Sequence, residues 1–395
     1  MTGRIRKKIA AVLLTGAVVF GLSGCFVVDF AVSWARTIFD DVTGENGWGE
    51  HTEKRLLNAI EAGDHELLEK YLKEGTDPEL IDLANFEPDE DDPHYDSEWK
   101  SCSPLHMACW ETDIESVRIL LKYGADPNNV WGYRGGWHSS PLYKALGHYG
   151  RDHSTQTEIA RLLLEAGAKF DQEWDRSHSP MINAAWAQNP EAIRLLAEYG
   201  ADPDFQTYSG ETALMKACTK PDIATITALI ECGADPNVQD NDGKTALMML
   251  VYHSIDPDVA ECIRYMLANG ADPTIKDNDG YDVLYFINGW ENNYHYDIDP
   301  TVVNELIDGG ADVYFTDCFG RNLFYKWRGS KELVEVLLQY GADAGNKDFY
   351  GRTARDYLEE VDRSNESGEY RNYYEEITEI LRNAEKEAAL DEKWD

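Results

Sequence analysis

The chain of 395 residues lacks an apolar run long enough to cross a bilayer. Its longest, Ile9–Leu22, is broken by Thr15 and two glycines, and about 20 residues are needed to span. Basic residues are scarce: 36 Lys and Arg stand against 73 Asp and Glu, a net charge of −37. That balance excludes nucleic acid as a partner, because phosphate binding needs a positive field. It also excludes attraction of the protein body to an anionic membrane surface. No CxxC pair, HExxH or GxSxG is present. The stretch 240–245 ends like a phosphate-binding loop, but Val238 stands where the leading glycine belongs. It fails as a calcium loop through the same Val238 and through Met249, and 277–280 fails through Ile275 and Phe286. No catalytic residue, metal ligand or cofactor is therefore assigned, no small-molecule substrate is expected, and the chain is read as not an enzyme. A hydrophobic fraction of 43% excludes a disordered acidic tail.

What is present begins at the N-terminus. Arg4, Arg6, Lys7 and Lys8 precede the short apolar run, which ends in Leu22-Ser23-Gly24-Cys25. A basic start, a short apolar core and a small-residue end describe an export signal. The last four residues resemble the lipobox of bacterial lipoproteins. That resemblance implies cleavage before Cys25 and acylation of its thiol, with two or three acyl chains giving firm membrane attachment. Phe26 follows where an aspartate would imply inner-membrane retention, so the implied location is the bacterial envelope, at the periplasmic face of the outer membrane. Residues 1–24 are then a signal peptide and 25–52 a lipidated tether. Four basic and no acidic residues precede Cys25, which leaves the mature chain at −41. Such a charge favours a basic partner by speeding its approach.

The body is repetitive. "YGADPN" at 123–128 recurs as "AGAKF" at 166–170, "YGADPD" at 199–204, "CGADPN" at 232–237, "NGADPT" at 269–274, "GGADVY" at 309–314 and "YGADAG" at 340–345, with "EGTDPE" at 74–79 as a weaker copy. The glycines at 167, 200 and 233 lie 33 apart. A second phrase runs in register with the first: "SPLHMAC" at 103–109, "SPLYKAL" at 140–146, "SPMINAA" at 179–185, "TALMKAC" at 212–218 and "TALMMLV" at 245–251. Period and phrases resemble the ankyrin repeat. The resemblance covers 53–360 and implies an all-α repeat fold, an ankyrin solenoid of about eight helix-turn-helix units with β-hairpin fingers, stacked as one array. Ser103, Ser140, Ser179, Thr212 and Thr245 are expected helix caps. The GAD glycines are expected left-handed helix ends. His106 is expected to serve the backbone rather than chemistry. Cys109 and Cys218 read as small core residues.

The array is interrupted by an acidic insertion near 82–100, containing "EPDEDDPHYDSE" at 87–98. A C-terminal capping helix and tail occupy 361–395, with the helix near 370–389. Aromatic residues are abundant, with 11 Trp and 22 Tyr, and many fall where fingers and insertions are expected. Trp and Tyr offer large contact areas with few torsions to freeze, so they dominate binding hot spots. The candidate partner-binding residues are Trp131, Tyr133, Trp137, Trp174, Tyr208, Trp290, Phe319 and Tyr350, with the finger carboxylates Asp240, Asp242 and Asp279; Phe349 stands beside Tyr350. The expected function is a membrane-anchored module capturing a basic partner protein. The chain is similar to ankyrin-repeat immunity lipoproteins that neutralise phospholipase effectors of type VI secretion, which implies toxin blockade. An envelope scaffold with several partners is the alternative.

Overall fold

The computed structural model describes residues 52–79, 103–129, 131–132, 138–147, 152–170, 179–252, 259–287, 300–326, 331–364 and 371–391. Cys25 and the leader, the acidic insertion near 82–100, Tyr133, Trp137, Trp174 and Trp290 lie outside them. The chain forms two compact units that divide between Asp126 and Pro127.

In the first unit, α1 (Thr52–Glu61) and α2 (His65–Lys73) form one helix pair, and α3 (Pro104–Trp110) and α4 (Ile114–Lys122) form a second. First helix packs on first and second on second, because each presents one apolar stripe. Leu56, Ile60, Leu68, Leu72, Leu105, Met107, Cys109, Val117 and Leu120 are buried there. Ser103 starts α3 by accepting the His106 backbone N–H, and Pro104 follows in the first turn, where no N–H is needed. The buried His106 ring meets Ser103 Oγ at 2.7 Å through Nδ1, a side-chain contact within its own repeat rather than the expected bond to backbone.

The second unit continues the pattern. Its first helices are α5 (Pro141–Leu146), α7 (Pro180–Trp186), α9 (Ala213–Cys218), α11 (Ala246–Tyr252), α13 (Val283–Phe286), α15 (Leu323–Lys326) and α17 (Ala354–Ser364). Each is followed by an outer helix: α6 (His153–Glu165), α8 (Pro190–Glu198), α10 (Ile223–Glu231), α12 (Val259–Ala268), α14 (Pro300–Asp308), α16 (Lys331–Gln339) and α18 (Arg371–Asp391). The two rows pack as two layers, with Ile159, Leu163, Ile193, Leu196, Ile226, Leu229, Ile263 and Leu306 in the core between them. Burying each such side chain contributes about 2 kcal/mol, so a single pair is unstable and the stack is not. The glycines ending the outer helices all have positive φ, for example +98° at Gly233 and +92° at Gly270. Helix α18, which closes the row, buries Ile377 and Leu381.

Two expectations change in detail. Ser140, Thr212 and Thr245 accept the capping N–H, but Ser179 starts α7 without doing so. Strand structure among the described residues is slight. β1 (Trp131–Gly132) pairs antiparallel with β2 (His138–Ser139), and single bridges join Thr316 to Asn322 and Lys347 to Thr353. The fingers are mostly hydrogen-bonded turns, too short for a ladder. No described helix is long and apolar enough to cross a membrane.

Candidate partner-binding finger face

Five fingers of the second unit are described at their tips: 206–211, 239–244, 276–281, 316–321 and 347–352. They share one local plan. An aspartate at the second position accepts two backbone N–H groups from the turn ahead of it. Asp240 Oδ1 accepts from Asp242 at 2.9 Å and Lys244 at 2.8 Å. Asp277, Asp317 and Asp348 repeat the arrangement, and Thr207 stands in for them in the first finger. This is the Asx-turn chemistry that favours aspartate in turns. Asp240 therefore works inside its own finger. Asp242 and Asp279 lie two residues on and are exposed. Asp242 pairs with Lys244 at 3.2 Å.

The sixth position decides how the turn carboxylate is held. Arg352 forks onto Asp348 Oδ2 through Nε at 3.0 Å and Nη2 at 2.9 Å, and Arg321 does the same for Asp317. Burial acts to raise Asp348, but the backbone and guanidinium bonds outweigh it and hold the carboxyl below its ordinary range. In the third finger Tyr281 replaces the arginine, and burial raises Asp277. The arginines also lie over rings: Arg321 Cζ is 4.7 Å from the Phe319 centroid and Arg352 Cζ 5.1 Å from that of Tyr350.

Neighbouring fingers are stitched together. Asn241 N donates to Ser209 O, Asn278 N to Asp242 O and Phe349 N to Phe319 O, at 2.9–3.0 Å. Gln206 Nε2 donates to Gln239 O, and Gln239 Nε2 to Lys276 O. The Asn241 and Asn278 side chains add bonds to Tyr208 O and Asn241 O. Approach is so close that a Cβ on Gly243 would lie 2.6 Å from Asn278 N.

Aromatic residues project from this face. Tyr208 is 62% exposed, Phe319 47%, Phe349 76% and Tyr350 75%. Tyr314, which sequence reasoning did not single out, is 68% exposed. Trp186 and Tyr252, also not singled out, are exposed at the ends of two first helices, at the same repeat position; their recurrence was the available signal. Trp131 falls on β1. Phe315 turns inward, edge-on to Tyr281 at 5.4 Å and Tyr285 at 5.7 Å, while Tyr281 and Tyr285 stack at 3.7 Å. Lys326 Nζ lies 3.6 Å above the Tyr285 ring, and burial brings its pKa down to about 7.

Over the repeat segments 202–211, 235–244, 272–281, 312–321 and 343–352, thirteen carboxylates accompany five cations. Four of those cations, Lys244, Lys276, Arg321 and Arg352, are ion-paired to finger carboxylates. The face is therefore aromatic and anionic. Among the described residues no group of three or more His, Cys, Asp or Glu is arranged to hold a metal ion. Cys109 and Cys218 are free and buried, Cys262 is buried, Cys232 is free and half-buried, and Cys318 is free and exposed; burial pushes the Cys109 and Cys218 thiols far up.

Comparison with known proteins agrees with this architecture. A family model described as ankyrin repeats (3 copies) matches residues 56–173 and 181–277. Among solved structures, the chain is similar to the ankyrin repeat domain of Bcl-3, described as a unique member of the IkappaB protein family. Identity is 24%, the TM-score is 0.44, and the match covers 55% of this chain and 92% of that one. It is also similar to the human ASB11 ankyrin repeat domain at 22% identity and TM-score 0.49, covering 65% of this chain and 98% of that one. With its helix pairs, its GAD turns, its stitched fingers and a family match over more than half its length, the chain belongs to the ankyrin-repeat family, whose members bind other proteins.

Proposed function

We propose that this protein is a membrane-anchored binding module that captures a basic partner protein on the finger face of its second unit. The observation that carries this reading is the excess of thirteen carboxylates over five cations around exposed Tyr208, Phe319, Phe349 and Tyr350. Carboxylates steer a cationic partner in and raise the association rate, while aromatic tips supply desolvated anchor contacts. The anchor is Cys25, acylated after removal of residues 1–24, and the place of action is the periplasmic face of the outer membrane. The finer reading is immunity: the partner is a secreted toxin, such as a phospholipase effector, blocked by occlusion where it meets its substrate. It rests on the resemblance to ankyrin-repeat immunity lipoproteins and is an analogy at the level of the fold.

The test is capture from envelope extracts on the purified chain, followed by binding and inhibition assays against any toxin encoded beside its gene. A basic protein eluted by salt and inhibited by the chain is expected. Capture that is unaffected by salt, or a neutral partner, removes the electrostatic reading. Binding without inhibition removes immunity.

A further inference from the structure

Among the described fingers the stitching is broken at one junction, between 276–281 and 316–321. At the preceding junctions the third-position N–H donates to the finger before it. Cys318 occupies that position in the fourth finger, and its N–H donates to no described residue. The side-chain stitches are missing as well. Lys276 stands where Gln206 and Gln239 stand in the earlier fingers, and it turns to Asp312 instead, at 3.4 Å. Cys318 stands where Asn241 and Asn278 stand and has no amide to donate. The spacing agrees: a Cβ on Gly280 would meet nothing within 4 Å, whereas at Gly210 and Gly243 it would strike the next finger at 2.6 Å. The fingers remain joined lower down by the Tyr281–Phe315 ring contact and by the Asp312 N–H bond to Asp282 at 2.6 Å. The junction is thus closed at its base and open at its tip.

The open tip has a defined chemistry. Along the slot one side offers the Asp279 carbonyl, the counterpart of the acceptors Ser209 O and Asp242 O, and the other offers the Cys318 N–H. The Asp279 carboxylate is exposed, and no cation within the described residues pairs with it, because Tyr281 replaces the lysine that pairs with Asp242 in the finger before. Tyr281 borders the slot, its hydroxyl pushed up chiefly by burial and further by the nearby carboxylates of Asp317 and Asp279. Asp317 itself is occupied by Arg321 and the turn.

We propose that this slot receives an extended segment of the basic partner. The segment's main chain takes the place of the missing stitch, accepting from Cys318 N–H and donating to Asp279 O, and a lysine or arginine on it pairs with the Asp279 carboxylate beside Tyr281. Main-chain pairing supplies affinity and the flanking side chain supplies selectivity, as in strand addition at an open edge. The proposal rests on the acidic finger face as the partner site and narrows it to one junction.

The test uses the full chain and octalysine as probe, with octaglutamate as control. Binding is read by anisotropy of labelled peptide, and site occupancy by hydrogen exchange at the Cys318 amide and by thiol alkylation of Cys318 against Cys232. Saturable octalysine binding is expected, with protection of Cys318 and not of Cys232. Asp279→Asn is expected to weaken it about tenfold, the loss of one charge-assisted hydrogen bond. The double variant Lys276→Gln, Cys318→Asn restores both stitches and is expected to abolish saturable binding, with circular dichroism confirming that it folds. If octalysine binds the double variant and the Asp279→Asn chain as well as it binds the wild type, the slot is overturned while the acidic-face reading stands. If the wild type does not bind octalysine at low salt, both are overturned.

Discussion

Gly243 and Gly280 hold the same finger position with the same left-handed backbone, φ +82° and +86°. They differ in what lies beyond the α-carbon. An alanine at 280 meets open space, so its cost is the backbone strain alone, about 1–2 kcal/mol. An alanine at 243 adds a 2.6 Å collision with backbone at Asn278. Gly243→Ala is expected to lower the chemical-denaturation midpoint distinctly more than Gly280→Ala, and equal losses would mean that the finger contacts do not form in solution. Lys326 gives a pH dependence. Its pKa falls to about 7 in the folded protein against about 10.4 in the unfolded chain. The unfolded state therefore binds more protons between those values, and stability rises with pH across that window. Below pH 7 the full penalty of charging a buried amine remains. Lys326→Met is expected to stabilise the second unit below pH 7, on the order of 2–4 kcal/mol, and to flatten the rise between pH 7 and 10 in thermal melts. At this scale sequence reading was incomplete. Asp240 and Asp279 look alike in the primary structure, but one completes a turn and the other faces solvent without a cation.

At the scale of the element, the helices were legible because each is specified locally. Cap, proline, apolar stripe and terminal glycine fall within one stretch of chain and need no distant partner to be recognised. The exception is instructive. Ser179 has the same Ser-Pro start as Ser140, but only Ser140 accepts a capping N–H. Ser140→Ala is expected to cost about 1 kcal/mol and Ser179→Ala distinctly less, a comparison that thermal unfolding of the two variants decides. Helix α18 is held by burial of Ile377 and Leu381 and by the Arg355–Glu385 and Arg382–Glu359 pairs at 3.2 and 3.0 Å. The exposed pair contributes little, so the apolar contacts dominate. Leu381→Ala is expected to cost about 2–4 kcal/mol and to speed hydrogen exchange in α18 well before the rest of the second unit. The finger face was only partly legible. Its exposed tips at Tyr208, Phe319 and Tyr350 stood out by composition, but the stitches between fingers connect residues 30 or more positions apart and carry no local signature.

For the whole molecule, charge and the proposed anchor act together. Loss of the proposed leader would leave a net charge of −41, and fields between exposed charges are screened beyond roughly 8 Å at physiological ionic strength. Capture of the partner should therefore weaken strongly between low and high salt, chiefly through the association rate, as surface plasmon resonance would register. Replacing Cys25 with serine is expected to move the protein from the membrane fraction to the soluble fraction without changing its circular dichroism; a variant that still fractionates with membranes removes the lipid anchor from the proposal.

The sequence by itself determined the repeating helix pairs, their caps, their terminal glycines and the acidic, aromatic composition of the fingers, because each of these depends on residues close together in the chain. The lone Lys276 and Cys318 were visible as letters but not as a feature. Only the tertiary structure decided that both fall at one junction, between fingers 40 residues apart in sequence, where two missing donors leave a carbonyl, an N–H and a carboxylate open. A hydrogen bond between fingers exists only once the repeats have stacked, and so its absence is also a property of the stack.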